Sequence, residues 1–176
     1  ASDQPFHVGD WHVCANAEIY NHRHLEERYP TRSKSDCEVI AHMLDQGCTV
    51  RETARELDGV FALFGVNVAQ KRAVIARDVF GVRALYWGSG PDLLFCVASE
   101  MKALRLAGCD EIRVFPPNTW MEVRYGEDDP GIVGMGHYWP TLTLQRYPPL
   151  ICDEERAIRT CQTLLRRAVK KRIMSD

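Results

Sequence analysis

The sequence predicts an α+β domain in which antiparallel sheets are layered against helices. Three observations carry this expectation. Residues at helical spacing cluster together early in the chain, short β-rich runs then follow one another through tight turns, and no internal repeat is present. Strands that meander with helices segregated to one side favour layered antiparallel sheets over a doubly wound parallel one.

Taken in order, Trp11 to Ala15 is a short apolar run that leads into a loop at Asn16. Tyr20 to Arg28 fits a short helix closed by Tyr29-Pro30. Ser35-Asp36 reads as an N-cap, with Glu38 behind it and Val39, Ile40, Met43 and Leu44 on one helical face up to Gly47. Thr49 caps a further helix carrying Val50, Ala54 and Leu57, closed by Asp58-Gly59. From there the period changes to that of a sheet. Val60 to Val68, Arg72 to Arg77, Ala84 to Trp87 and Leu93 to Ala98 read as strands, with turns at Asn67 to Lys71, at Gly81 and at Gly88-Ser89-Gly90-Pro91. Ser99 caps a helix with Met101, Leu104 and Leu106, ended by Gly108, and strands follow at Ile112 to Phe115 and Trp120 to Tyr125. Gly126 to Pro149 holds four of the nine prolines and reads as loop and linker. Asp153 to Ile173 is a long helix, with Ala157, Ile158, Cys161, Leu164, Leu165, Ala168 and Val169 on one stripe. Its acidic start and basic end suit the helix dipole.

Composition bounds the function. A chain of 176 residues that is 45% hydrophobic and 26% charged suits one globular domain with a short extension. A formal charge of -2 gives no reason to expect nucleic acid or an anionic membrane as partner. No apolar run reaches the roughly 20 residues of a membrane helix, and Ala1 to Asp10 does not read as a secretory leader. The seven cysteines contain no C-x-x-C pair, and their odd number argues against a disulfide framework. Reduced thiols in a cytoplasmic protein are the expectation. His22, His24 and His42 show no carboxylate-histidine spacing that would mark a metal site.

The run Asn16-Ala17-Glu18-Ile19-Tyr20-Asn21-His22 carries the most chemistry. A side-chain amide offers donors to a developing oxyanion, and a carboxylate two residues on can hold a substrate ammonium. Each residue also has a plain structural use. Asn16 can close an Asx-turn, Glu18 can be a surface carboxylate, Asp36 can be a helix cap, and Arg77 with Asp78 can fix a strand-to-turn connection.

That run resembles Asn-Gly-Glu-Ile-Tyr-Asn-His of the glutaminase domain in glutamine-hydrolysing asparagine synthetases. Further stretches extend the likeness in the same order: Ser35-Asp36-Cys37-Glu38-Val39-Ile40, Leu57-Asp58-Gly59-Val60-Phe61-Ala62, Ala76-Arg77-Asp78-Val79-Phe80-Gly81-Val82-Arg83-Ala84-Leu85-Tyr86 and Ala98-Ser99-Glu100-Met101-Lys102-Ala103-Leu104. The resemblance implies an N-terminal-nucleophile hydrolase fold, a four-layer αββα sandwich of antiparallel sheets. It implies a partial class II glutamine amidotransferase domain over residues 1–149. Residues 150–176 would then be a linker and first helix leading towards an ATP-pyrophosphatase synthetase domain of the same chain. In such a site a terminal cysteine attacks the side-chain amide of glutamine, with its own α-amine as base. By the same likeness Asn16 and the Ala17 N–H hold the oxyanion, and Glu18 and Asp36 bind the α-ammonium. ATP and Mg²⁺ would belong to the synthetase domain and no cofactor or metal to the glutaminase domain. A homodimer is compatible with this, although no residue specifies it.

Three departures from the family pattern bear on activity. The chain begins Ala1-Ser2-Asp3, without the nucleophilic cysteine, so these residues alone are expected to be inactive. Ala17 stands where the family has glycine; if that position needs a positive φ, the Cβ costs on the order of 1 kcal/mol. Ala84 replaces a turn proline. Two readings follow: the glutaminase portion of an asparagine synthetase, or a degenerate noncatalytic relative serving as a binding or scaffold module. Amidotransferases acting on fructose 6-phosphate or phosphoribosyl pyrophosphate rank below both.

Overall fold

The computed structural model describes residues 4–91, 93–126, 130–140 and 153–173. The chain divides into two compact units, Ala1–Trp139 and Pro140–Asp176. The first contains β1 (Phe6–Val8), β2 (Trp11–Ile19), α1 (His22–Glu26), α2 (Glu38–Asp45), α3 (Val50–Glu56), β3 (Gly59–Asn67) and β4 (Arg72–Arg77). It continues with β5 (Tyr86–Gly90), β6 (Leu93–Ala98), α4 (Met101–Leu106), β7 (Glu111–Val114), β8 (Thr119–Arg124) and β9 (Gly131–His137). Within the second, α5 (Glu154–Arg172) is capped by the Asp153 carboxylate, which accepts from the Glu155 N–H at 3.1 Å.

The strands form a six-stranded sheet in the order β1-β2-β3-β4-β8-β9 and a three-stranded sheet in the order β6-β5-β7. Every pairing is antiparallel. Because successive strand residues point to opposite faces, the large sheet builds two cores at once. Val13, Phe61, Leu63, Val74 and Ala76 pack with the apolar faces of α2 and α3, including Val39, Ile40, Met43, Val50 and Ala54. The alternate residues Ala62, Ala73, Ile75, Met121 and Val123 form a second core with Leu85 and Phe115. Trp87, Phe95 and Val97 of the small sheet pack against that core. Helix α4 lies on β5, β6 and β7 and buries Leu104. The layers therefore run helix, sheet, sheet, helix, as expected.

Several local expectations are met. Thr49 caps α3 in a full capping box, accepting from the Glu52 N–H at 3.2 Å while its own N–H donates to the Glu52 carboxylate at 2.9 Å. Other expectations are corrected. Asn16 lies inside β2, not in a loop after it, because the β3 ladder extends to Ile19↔Gly59. The N-cap of α2 is Cys37 with no side-chain cap bond, so Asp36 does not cap the helix. Likewise the N-cap of α4 is Glu100, with no side-chain cap bond, so Ser99 does not cap that helix. Strand β5 starts at Tyr86 and includes Gly88-Ser89-Gly90, which the turn chemistry placed outside it.

The largest difference is β9, within the stretch expected to be loop. Its three glycines, Gly131, Gly134 and Gly136, hide the strand signal, yet Gly134 has a packing reason. An added Cβ at Gly134 would lie 2.9 Å from Trp120 Cη2, whereas one at Gly136 would make an ordinary contact, 3.5 Å from Trp120 Nε1. The indole is thus laid across the glycines of the neighbouring strand. Just beyond, Tyr138 is buried beside Phe61 and donates its hydroxyl to the Arg77 carbonyl at 3.0 Å. Burial raises its pKa, so it remains a donor.

Candidate functional site

The outer edge of β2 organises the site. At Val13 that edge pairs with Phe6 of β1. At Ala15 the Gln4 carboxamide replaces a strand, accepting from the Ala15 N–H at 2.7 Å and donating to its carbonyl at 2.9 Å. At Ile19 the N–H donates to Asp36 Oδ2 at 2.7 Å. Between them lies Ala17, whose carbonyl accepts from the Cys37 thiol at 3.6 Å. By strand alternation its N–H faces the same edge, and nothing among the described residues accepts from it. Among the described residues it is the one backbone donor of the Ala15-to-Ile19 edge without an acceptor.

Side chains at the same corner alternate across the sheet. Ala15 and Ile19 are buried on the helix side, and Ala17 packs against that core. Asn16 and Glu18 therefore project from the opposite face, where Asn16 is exposed and Glu18 half-exposed. The worry about Ala17 disappears. The described non-glycine residues with positive φ are Lys71 and Asn118, so Ala17 has ordinary strand geometry and no left-handed strain. Its Cβ points towards the helices, away from the face that carries Asn16 and Glu18.

Two loops deliver the remaining groups. Residues 31–36 are pinned by Glu38, whose carboxylate accepts from the Arg32 N–H at 3.1 Å and the Ser33 N–H at 2.6 Å and meets His42 Nε2 at 3.4 Å. Burial, the largest single influence, raises the pKa of Glu38; the bonds from Ser33, Arg32 and His42 together outweigh it and bring it from 4.5 down to about 2. A depressed carboxylate stabilises the fold above its unfolded pKa and loses that contribution as pH falls through the folded one. For this nearly buried group the shift corresponds to roughly 3 kcal/mol, present at neutral pH and lost between about pH 5 and pH 2. Glu38→Gln should therefore be less stable at neutral pH and show a flatter dependence of its denaturation midpoint across that window. An unchanged acid slope would contradict this role.

The second loop, 79–83, is held from beneath. Asp78 accepts from the N–H groups of Phe61 (3.3 Å), Phe80 (3.1 Å), Val82 (3.0 Å) and Arg83 (3.2 Å). Arg77 donates to the carbonyls of Arg83 (2.7 Å), Phe115 (2.6 Å) and Gly81 (2.8 Å). The structural role expected of these two residues holds, but through backbone groups rather than each other. Gly81 has φ +63°, and a Cβ there would stand 2.8 Å from Pro117 Cγ, so only glycine suits the turn. The loop presents Arg83, whose Nη2 lies 3.3 Å from Glu18 Oε1.

The thiols nearby are not poised as nucleophiles. Burial pushes Cys37 up to about 12, with the Asp36 carboxylate adding to the effect. Cys14, on the Asn16 face, is also raised by burial. His22 and His24 pair with Glu26 and Glu27. Among the described residues no group of three or more His, Cys, Asp or Glu could hold a metal ion.

All four residues singled out from the sequence thus share one corner: Asn16, Ala17 and Glu18 in succession on β2, and Asp36 bonded to the next residue but one after Ala17. Sequence reasoning missed Gln4, Glu38 and Arg83 as parts of the corner. Glu38 carried a signal in its i,i+4 spacing to His42; Arg83 lay within a quoted motif, but its contact with Glu18 joins residues far apart in the chain.

Residues 1–106 match the family model described as glutamine amidotransferase domain. The chain belongs to that family. Among curated proteins it is similar to asparagine synthetase [glutamine-hydrolyzing] 3 of Arabidopsis thaliana, 39% identical over 122 residues, covering 66% of this chain and 21% of that protein. Asparagine synthetase [glutamine-hydrolyzing] 1 of the same plant is 32% identical over 167 residues, covering 93% of this chain and 26% of that protein. The amidotransferase chain thus spans about a fifth to a quarter of the length of these relatives. Among solved structures, glutamine phosphoribosylpyrophosphate amidotransferase of B. subtilis aligns with TM-score 0.63 at 21% identity, covering 77% of this chain and 32% of that one. A glutamine aminotransferase class-II domain protein of Silicibacter pomeroyi aligns with TM-score 0.57 at 12% identity, covering 78% and 72%. At these identities the structural matches establish the fold alone, and it is the expected N-terminal-nucleophile hydrolase sandwich. Among the described residues no helix is long and apolar enough to cross a membrane.

Proposed function

We propose that this chain is the glutamine-recognising part of an asparagine synthetase, which hydrolyses glutamine to supply ammonia for ATP-dependent amidation of aspartate. The observation that carries the proposal is the Ala17 N–H, which has no acceptor among the described residues, beside Asn16 and with Glu18 and Asp36 at the same strand end. Asn16 Nδ2 and the Ala17 N–H hold the oxyanion formed when a nucleophile adds to the glutamine side-chain amide. Glu18 and Asp36 receive the α-ammonium, which separates free glutamine from glutamine within a peptide. The nucleophile in this reading is a cysteine thiol, a role assigned to neither Cys14 nor Cys37, whose pKa values burial raises. ATP and Mg²⁺ act in a following synthetase domain, and no residue of this chain is assigned to them. Ala17 has no left-handed strain, so its Cβ gives no reason to prefer the alternative, a degenerate noncatalytic module.

The ammonium assignment is tested by comparing free glutamine with Nα-acetylglutamine, which lacks the cation. Wild-type protein carrying its natural N-terminus should prefer glutamine strongly in kcat/KM. Glu18→Gln should cut that preference by roughly three- to tenfold, since it removes one of two carboxylates offered to the cation and Glu18 is only half-buried. Undiminished discrimination in both Glu18→Gln and Asp36→Asn would rule the assignment out.

A further inference from the structure

We propose that Arg83 is a positioning residue that holds the Glu18 carboxylate for the α-ammonium of glutamine. This deepens the reading given above and rests on it. Glu18 and Arg83 are distant in sequence, on β2 and on the loop after β4, yet the ion pair joins them across the site at 3.3 Å. Glu18 needs such a partner. Its side chain is 41% exposed, and the described residues offer its carboxylate no other ion pair. A free glutamate of this exposure samples several rotamers and turns towards water, and ordering it on binding weakens the complex.

Arg83 is built to prevent this. Its backbone is fixed at both ends, the N–H on Asp78 Oδ2 at 3.2 Å and the carbonyl on Arg77 Nε at 2.7 Å. Its Nε is buried with no hydrogen-bond partner among the described residues, a desolvation cost that a surface arginine would avoid by swinging outward. The fixed backbone and the buried Nε therefore aim the guanidinium at Glu18. The second carboxylate, Asp36, is anchored separately on the Ile19 N–H at 2.7 Å.

The test is calorimetric titration of the protein with its natural N-terminus, using glutamine and glutaramate, which is glutamine without its α-ammonium. Arg83→Met should weaken glutamine binding about tenfold while changing glutaramate binding less than about twofold, because only the former uses Glu18. Arg83→Lys, which keeps the cation, should recover most of the loss. If Arg83→Met does not fold, Arg83→Gln carries the same expectation. Glutamine binding that is unchanged or tighter in the neutral variants overturns the proposal, as does an equal loss for both ligands. Wild-type protein that binds neither ligand overturns the amidotransferase reading itself, a result distinct from an unaffected Arg83 variant of a glutamine-binding wild type.

Discussion

Replacing Asp78 by alanine should destabilise the domain by roughly 3–5 kcal/mol, the range in which a buried hydrogen-bond network is lost. Asp78 is 2% exposed, and its two carboxylate oxygens accept from four backbone N–H groups. Alanine leaves these donors unpaired in a region that water enters poorly. Asn preserves one acceptor oxygen and should lose less. For a unit of this size the alanine variant should melt roughly 10 °C lower in a thermal scan. The change also loosens residues 79–83 and with them the Arg83–Glu18 pair. Glutamine affinity in Asp78→Asn should consequently fall even where the protein remains folded. A melting temperature within about 2 °C of wild type in Asp78→Ala would show that the loop does not depend on this carboxylate.

Asn16→Ala should lower kcat for glutamine hydrolysis by about 10²–10³, the usual cost of removing one oxyanion donor. KM should change little, because the ground-state amide makes weaker use of that donor than the tetrahedral adduct. Stability should be nearly unaffected, since Asn16 is exposed and its backbone stays in the β2–β3 ladder. The Ala17 N–H remains in the variant, so residual activity above background is expected. A parallel loss in kcat and stability would instead mark Asn16 as a structural residue.

Much of this was readable before any coordinates. Strands β3 and β4 announce themselves through apolar runs bounded by turn residues, and the capping box of α3 is local chemistry at Thr49 and Glu52. The motif runs identified the four corner residues because spacing within a motif survives folding. What stayed hidden was non-local. Asp36 suits a helix cap on local grounds, but the Ile19 N–H, brought close by the layer packing, competes for it successfully. Strand β9 has glycine at position 134, where Trp120 needs room, so a tertiary contact selects that glycine and weakens the pattern. The Arg83–Glu18 pair depends on the loop after β4 reaching β2 across the sheet, which no periodicity reports.

The most direct measurement is ammonia release from glutamine by the protein with its natural N-terminal sequence, wild type and Asn16→Ala side by side. Steady hydrolysis by wild type, falling by about two to three orders of magnitude in kcat with KM nearly unchanged in the variant, is the expected result. A correctly processed and folded wild type that releases no ammonia would contradict the glutaminase reading. It would leave the Ala17 N–H and its neighbouring carboxylates as a binding site without turnover.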